Sequence, residues 1–240
     1  MKKPYLKIVL LVAVASVAIL SSCRFRCKKG SGDMITENRN VAEFSRLDIA
    51  GGFKVKLVQD SSQKVTITAD DNLMKYIETE VSGDKLTLHT TKNICSKGEI
   101  AVVIGVRKLS ELEGSGAVDL SAAGPLNVGD IRFHFSGATK ADLVLNAGVV
   151  NTEGTGSTEI KLKGQAGTHN VEMTGSGSLD ALDFVVGKYS IKTTGSAECK
   201  INVLNSLSVN TTGASDIKYR GNPKDVNTKK TGASSVQKID

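Results

Sequence analysis

Cysteine, histidine and carboxylate side chains are the residues of this sequence that could carry catalysis or bind a metal. The four cysteines contain no CxxC pair, and the three histidines lie far apart and outside any metal-ligand motif. Three cysteines remain beyond Cys23, an odd number, so we expect neither a disulfide framework nor a zinc site. The sequence therefore predicts no metal and no cofactor. Cys199 as a nucleophile and His169 as a ligand are candidates that depend on where the fold places them.

The most regular polar feature is a Ser or Thr placed directly before a glycine. It occurs seven times at near-constant spacing: Ser115, Ser136, Thr155, Thr174, Thr194, Thr212 and Thr231. One interpretation is a ladder of hydroxyls that presents a flat, ordered surface to a glycan, a protein partner or ice. The other, which we favour, is that these hydroxyls bond the local backbone and stabilise the turn.

The elements that must position these residues follow from the glycines, which recur at spacings of 21, 19, 19, 20, 18 and 19 residues. The positions four before and four after most of these glycines are apolar, and the positions next to them are polar. This period-two alternation predicts two strands with one buried face in each repeat. We expect the repeats to stack as a parallel β-solenoid with coils of about nineteen residues. A meander of antiparallel hairpins is the alternative.

The columns of like residues decide between core and chemistry for the two candidates. Cys199 shares an inward column with Leu179, where cysteine behaves as a small hydrophobe. His169 shares an inward column with Val150, and no second ligand is spaced to join it. Both residues are therefore predicted to be structural, whereas His134 should point outward into water.

The part of the chain before the regular repeats is also rich in strand patterns. The register of the repeat fits well about Gly51 and nearly fits about Gly83, and Asp71–Ile77 is predicted as a short helix. We interpret residues 33–112 as a β-rich part that caps or continues the solenoid, and residues 113–240 as the regular repeats.

The N-terminus has the pattern of an export signal over residues 1–22, with a basic start and thirteen uncharged residues from Ile8 to Leu20. This run is shorter than the roughly 20 apolar residues that span a membrane. The tripeptide before Cys23 resembles the bacterial lipobox, which implies that Cys23 is acylated and that residues 23–32 form a flexible lipidated tether. The tether is basic and could favour anionic headgroups. We expect an outer-membrane lipoprotein that faces the periplasm or the cell surface.

The charge and composition exclude several function classes. The formal charge is +6, but seven of the 31 Lys and Arg residues precede Gly30, which leaves 24 against 25 acidic residues, a charge of −1. A domain without excess positive charge is not expected to bind nucleic acid. There is no Trp, and aromatic residues are 4% of the chain, which argues against stacking platforms for sugars or bases.

Four features together resemble the autotransporter-adhesin head, or GIN-type, family of Bacteroidetes lipoproteins. They are the lipobox start, the Phe44–Ile49 opening, the Val65–Ala69 strand followed by Asn72-Leu73, and the run of Ser/Thr-Gly turns. The resemblance extends over roughly residues 33–232 and implies a right-handed β-helix. It implies no catalytic residues.

These observations favour a non-enzymatic binding or adhesion module with an extended surface, held at the membrane by its lipid. The partner would be a glycan or a protein, and self-association at the C-terminal end is also expected, since the last strand could leave an open edge. One alternative is a polysaccharide-active β-helix enzyme, for which Glu159 and Asp180 on adjacent coils could supply the carboxylates. Another is a purely structural envelope protein.

Overall fold

The structure, a computed structural model, describes residues 27–240, so the predicted signal and Cys23 lie outside the described residues. Within this range the regular structure is all β apart from one 3₁₀ turn, Met74–Tyr76, and no helix is long and apolar enough to cross a membrane. The strands are β1 Lys28–Lys29, β2 Met34–Asn40, β3 Arg46–Gly51, β4 Lys54–Gln59, β5 Lys64–Asp70, β6 Ile77–Ser82, β7 Lys85–Thr90, β8 Ile94–Cys95, β9 Ala101–Val106, β10 Glu111–Gly116, β11 Asp119–Ala122, β12 Leu126–Asn127, β13 Ile131–Gly137, β14 Lys140–Gly213, β15 Asp216–Arg220, β16 Asp225–Thr231 and β17 Ser235–Lys238.

Strands from successive repeats pair in parallel, as the solenoid requires and the meander does not. Leu112 in β10 lies beside Phe133 in β13, which in turn lies beside Thr152 in the long β14 run. The same parallel pairing joins β14 to β15 and β16. Strands before the turns form one row, in the order β6-β7-β3-β10-β13-β14, and strands after the turns form another, β2-β5-β9-β4-β11-β14.

The turns require glycine for two separate reasons, backbone conformation and close packing between layers. All seven predicted turn glycines have positive φ, a region that L side chains rarely adopt. Each also lies against the turn glycine of the adjoining layer: a Cβ on Gly175 would sit 2.7 Å from the carbonyl oxygen of Gly156, and one on Gly195 would sit 2.5 Å from that of Gly175. The glycine column therefore sets both the backbone conformation of each turn and the distance between repeats.

The predicted inward columns form the core. In the column four residues before the turn glycines, the side chains from Leu112 to Val209 are buried. In the column six residues before these glycines, His169 is fully buried, as predicted. The last repeat departs from this pattern, because Val226 is 45% exposed and Lys238, in a column expected to face inward, is exposed. The core therefore thins out at the C-terminal end, where β16 and β17 each have one neighbouring strand.

The N-terminal part continues the stack, but in an order that the chain sequence does not follow. Gly51 in β3 pairs directly with Gly116 in β10, which confirms the register about Gly51. β7 and β9 come later in the chain, yet they stack outside β3 and β4, so the first two layers are interchanged. Gly83 lies instead in the tight connection of the antiparallel β6–β7 hairpin, so the register expected about it is wrong.

Antiparallel strands cover the N-terminal end of the stack. β2 pairs with β5, and β6 pairs with β7, so each row of strands ends in an antiparallel neighbour. The Arg39 guanidinium donates a 2.7 Å hydrogen bond to the carbonyl oxygen of Ile77 and so links β2 to β6. The segment predicted as a short helix is a 3₁₀ turn at Met74–Tyr76, from which the buried Met74 packs into the core.

A disulfide joins Cys27 to Cys95, with 5.6 Å between their Cα atoms, so the expectation of no disulfide is wrong. The backbone amides of Lys28 and Gly30 also donate to the carbonyl oxygens of Asn93 and Cys95 at 2.8 and 2.9 Å. Residues 27–32, expected to belong to a flexible tether, are therefore fixed to the body.

Asp70 holds this attachment from beneath. Its buried carboxylate accepts hydrogen bonds from the backbone amides of Gly32, at 2.7 Å, and Lys97, at 3.3 Å, and from the Ser96 hydroxyl. The bond from Ser96 is the main reason that the pKa of Asp70 lies below its ordinary value. A Cβ on Gly30 would overlap the same carboxylate, so residue 30 must be glycine for the N-terminal segment to pack against Asp70.

Candidate binding surface

The predicted hydroxyls form a continuous row along the outer face of the strands that precede the turns. Ser115 pairs in register with Ser136, which pairs with Thr155, and Thr212 pairs with Thr231 at the far end. The two serines are partly exposed and the five threonines are exposed. Parallel strands lie ~4.8 Å apart, so the row is an evenly spaced ladder of hydroxyls. We call these seven residues the hydroxyl ladder.

The ladder hydroxyls do not hold the turns. Across residues 27–240 no side-chain hydrogen bond involves a ladder hydroxyl, so the favoured expectation that they bond the local backbone is wrong. Backbone hydrogen bonds between repeats hold the turns instead. The amide of Ala138 donates to the carbonyl oxygen of Gly116 at 2.8 Å, and the amide of Ala214 donates to the carbonyl oxygen of Gly195 at 2.9 Å. The hydroxyls are therefore free to bond to water or to a ligand.

A shallow groove lies beside the first ladder residues. Besides these ladder residues it is lined by Glu113, His134 and Glu153, which lie two residues before them, and by Asp48, which lies two residues before Ala50 in the same column. The Lys85 ammonium lies 2.9 Å from a Glu113 oxygen and 3.2 Å from an Asp48 oxygen. The hydrogen bond with Glu113 is the main reason that the pKa of Lys85 is raised. The groove is thus polar, and two of its carboxylates share one lysine.

Two neighbouring carboxyls at the edge of this groove have pKa values shifted apart. A hydrogen bond with Glu113 raises the pKa of Glu111, and the Lys85 ammonium lowers that of Glu113. His134 points outward, as predicted, and its Nδ1 lies 3.2 Å from a Glu153 oxygen. In the described part of the chain no group of three or more His, Cys, Asp or Glu side chains has the geometry of a metal site.

A second polar hollow lies on the other side of the turns, in the middle of the stack. Serines that follow the turn glycines line it, together with acidic residues three positions after the glycines: Ser157, Ser176, Ser196, Glu159, Glu198 and Asp216. Each of these carboxylates is within 3.1 Å of a lysine ammonium. Glu159, the proposed carboxylate of the enzyme alternative, is exposed and ion-paired with Lys140.

The two residues that could have been reactive are core residues, as predicted. Burial raises the pKa of the Cys199 thiol to about 12, so the thiolate needed for nucleophilic attack is not populated at neutral pH. Burial lowers the pKa of His169 to about 3, so its ring is neutral. The His169 Nε2 lies 2.9 Å from the Thr152 hydroxyl, and its ring packs against Tyr189 at 5.1 Å between centroids.

Most of the chain matches a known protein family. Residues 43–223 match the family model described as "Putative auto-transporter adhesin, head GIN domain". The chain belongs to this family. Comparison with curated proteins gave no match. The family membership confirms the resemblance that the lipobox start, strand patterns and Ser/Thr-Gly turns suggested.

Three solved structures share the fold. A "putative adhesin" from Bacteroides fragilis has 21% identity and a TM-score of 0.84, covering 88% of this chain and 99% of its own. A "putative lipid binding protein" from Parabacteroides distasonis has 18% identity and a TM-score of 0.72, covering 90% and 100%. A "putative adhesin" from Parabacteroides merdae has 20% identity and a TM-score of 0.69, covering 88% and 98%. At these identities the likeness concerns the fold.

Proposed function

We propose that this GIN-family protein is a lipid-anchored, non-enzymatic binding or adhesion module whose recognition surface is the hydroxyl ladder. The observation that carries the proposal is that seven aligned hydroxyls, from Ser115 to Thr231, make no hydrogen bond within residues 27–240. A rigid row of unbonded hydroxyls can bind a repeating polar partner with little loss of side-chain entropy. The partner class is a glycan or a protein, with no role for nucleic acid.

The surface is extended because of the way the repeats stack. We infer a right-handed β-solenoid with coils of about nineteen residues, which is supported by parallel pairs such as Ile131 with Val150 and Leu207 with Val226. Nine layers in the row that precedes the turns would span roughly 40 Å at ~4.8 Å per strand. The seven residues of the ladder are separated by six of these steps, roughly 29 Å, a length that suits a polymer or an extended protein edge better than a small molecule.

We place the protein at the outer membrane, facing either the periplasm or the cell surface, with acylated Cys23 as the anchor. The Cys27–Cys95 disulfide supports export, since disulfides persist in oxidising compartments. The names of the adhesin relatives agree with an envelope role, and one neighbour is named as a lipid-binding protein. These names refer to proteins with 18–21% identity, so the ladder is the main support for a binding role.

The test separates the hydroxyls from the rest of the surface. Thr155→Val, Thr174→Val and Thr194→Val together remove three central hydroxyls while keeping the β-branched shape and strand propensity. Binding of the wild-type and triple variant to a defined glycan array, and to purified outer-membrane proteins in a surface-plasmon assay, would be compared. We expect the triple variant to lose at least about tenfold in affinity, which corresponds to ~1.4 kcal/mol.

A matched control changes the surface away from the ladder. Gln165→Ala, Asn205→Ala and Gln237→Ala remove three exposed polar groups that lie outside the ladder. Binding should be unchanged in this control. Equal loss in both triple variants, or no binding partner for the wild-type protein in either assay, would refute the ladder as the recognition surface.

A further inference from the structure

We infer that the corner of the molecule around the Cys27–Cys95 disulfide is a contact surface for the anionic phospholipid headgroups of the membrane that holds the lipid anchor. This inference rests on the proposed acylation of Cys23. The disulfide fixes the chain to the body four residues after Cys23. Four residues of chain span at most about 14 Å, so an acylated Cys23 would hold this corner close to the bilayer surface.

Four lysines with exposed side chains lie at this corner. Lys28 and Lys29 in β1 are exposed, and β1 pairs with β8, which begins two residues after the exposed Lys92. The Lys97 ammonium lies over the same segment and donates a 2.7 Å hydrogen bond to the carbonyl oxygen of Ser31. We call Lys28, Lys29, Lys92 and Lys97 the basic corner.

Several carboxylates also lie near the basic corner, and most of them are engaged within the protein. Asp70 is buried and its oxygens are occupied by the hydrogen bonds that hold residues 30–32. The exposed carboxylates nearest to the basic corner include Asp33, Asp71 and Glu99. Asp71 accepts a 2.5 Å hydrogen bond from the Ser31 hydroxyl, and Glu99 lies 3.1 Å from the Lys54 ammonium.

Two exposed apolar side chains, Met34 and Ile35, lie beside the basic corner and could insert into the membrane interface. Met34 and Ile35 begin the edge strand β2 and are 41% and 43% exposed. A Cβ on Gly98 would lie 3.3 Å from the Met34 sulfur, which places Met34 beside the loop that carries Lys97. Apolar side chains bordered by lysines bind anionic bilayers through both burial and charge.

Contact through the basic corner would also orient the ladder. The basic corner lies at the N-terminal end of the stack, where β7, β9 and the antiparallel strands are located. The opposite end, with β16 and β17, would then point away from the bilayer by the ~40 Å length of the stack. The hydroxyl ladder would run outward from the membrane, with Ser115 nearest to it and Thr231 farthest.

The chain has no Trp, so a single introduced Trp is a selective reporter of membrane contact. Ile35→Trp reports the basic corner, and Val226→Trp, at a position of nearly equal exposure, 45% against 43%, reports the opposite end. The full-length lipoprotein would be reconstituted into vesicles of phosphatidylethanolamine and phosphatidylglycerol with brominated acyl chains. We expect strong quenching at residue 35 and none at residue 226.

The role of charge is tested in the Ile35→Trp background. Lys28→Glu, Lys29→Glu and Lys92→Glu reverse three exposed charges that make no side-chain hydrogen bond within residues 27–240. The control, Lys224→Glu, Lys229→Glu and Lys230→Glu, makes the same charge change at the far end. Quenching should fall at least about twofold in the first triple variant and in neutral phosphatidylcholine vesicles, and should not change in the control.

The outcomes separate this inference from the proposed anchoring. Equal quenching at residues 35 and 226, or quenching at residue 35 that ignores both lipid charge and the lysine reversals, would overturn the headgroup surface. The mass of the N-terminal peptide reports acylation independently. If no acyl chain is found, the anchoring proposal fails, while sedimentation of the same protein with anionic vesicles at low salt still measures the basic corner.

Discussion

Replacing Gly175 by alanine tests whether the glycine column sets the spacing of the repeats. The φ of Gly175 is +106°, and a Cβ there would lie 2.7 Å from the carbonyl oxygen of Gly156, closer than real Cβ atoms come. Positive φ costs an L residue about 1–2 kcal/mol. Overpacking against backbone adds about 1–3 kcal/mol, so we expect Gly175→Ala to lower the free energy of unfolding by about 2–5 kcal/mol.

The assay is equilibrium unfolding in urea, followed by far-ultraviolet circular dichroism, with Gly129→Ala as the control. No atom lies within 4 Å of a Cβ on Gly129, so this variant should stay within about 0.5 kcal/mol of the wild type. Gly232→Ala has the same kind of strain, with φ at +97°, but lies in the last repeat, which can shift more easily. Its loss should be smaller than that of Gly175→Ala. A Gly175→Ala protein as stable as the Gly129→Ala control would refute the reasoning.

Three further predictions concern the disulfide, the buried histidine and the C-terminal edge. Replacing Cys27 and Cys95 by serine should lower the free energy of unfolding by up to about 4 kcal/mol, because the bond closes a loop with a sequence separation of 68 residues. If reductant left the urea titration of the wild-type protein unchanged, this prediction would be contradicted. In the unfolded state His169 takes up a proton below pH ~6.5, whereas in the folded state it does so only near its pKa of about 3. The free energy of unfolding should therefore fall by several kcal/mol as the pH drops from about 6.5 to about 3. His169→Leu should flatten this fall in pH-dependent urea titrations, and an unchanged slope would contradict the assignment. At the C-terminal end, light scattering should show a mass that rises with concentration and is reduced by Val226→Glu, whereas a monomer at every concentration would rule out self-association.

The columns of the repeat can be predicted from the sequence because two independent patterns agree. Glycine recurs where the backbone needs positive φ, and apolar residues alternate with polar ones on both sides of it. A shift of one residue would move every inward side chain to the surface, so the register is strongly determined. The same register assigns Cys199 and His169 to the core from the sequence alone.

The disulfide cannot be predicted from the number of cysteines alone, because Cys27, Cys95 and Cys199 together make an odd number. The column that buries Cys199 removes it from the count and leaves Cys27 and Cys95 as a pair in a chain whose N-terminal sequence predicts export. The sequence therefore carries the signal for this bond, but only when the repeat is applied to the cysteines. The interchange of the first two layers has no comparable signal. The strands about Gly51 and those of β7 and β9 have the same alternation, so the pattern does not fix which layer stacks against β10.

The unbonded ladder changes what must be explained about its Ser and Thr residues. If their hydroxyls held the turns, the structure alone would account for them. Instead, glycine conformation and backbone hydrogen bonds between repeats hold the turns, as for Ala138 and Gly116. Threonine still has a structural advantage on an exposed strand, because its β-branched side chain favours the extended backbone. Valine shares that advantage and lacks the hydroxyl. Replacement of threonine by valine therefore separates strand propensity from recognition: if Thr155→Val, Thr174→Val and Thr194→Val leave both stability and binding intact, strand propensity alone accounts for the ladder.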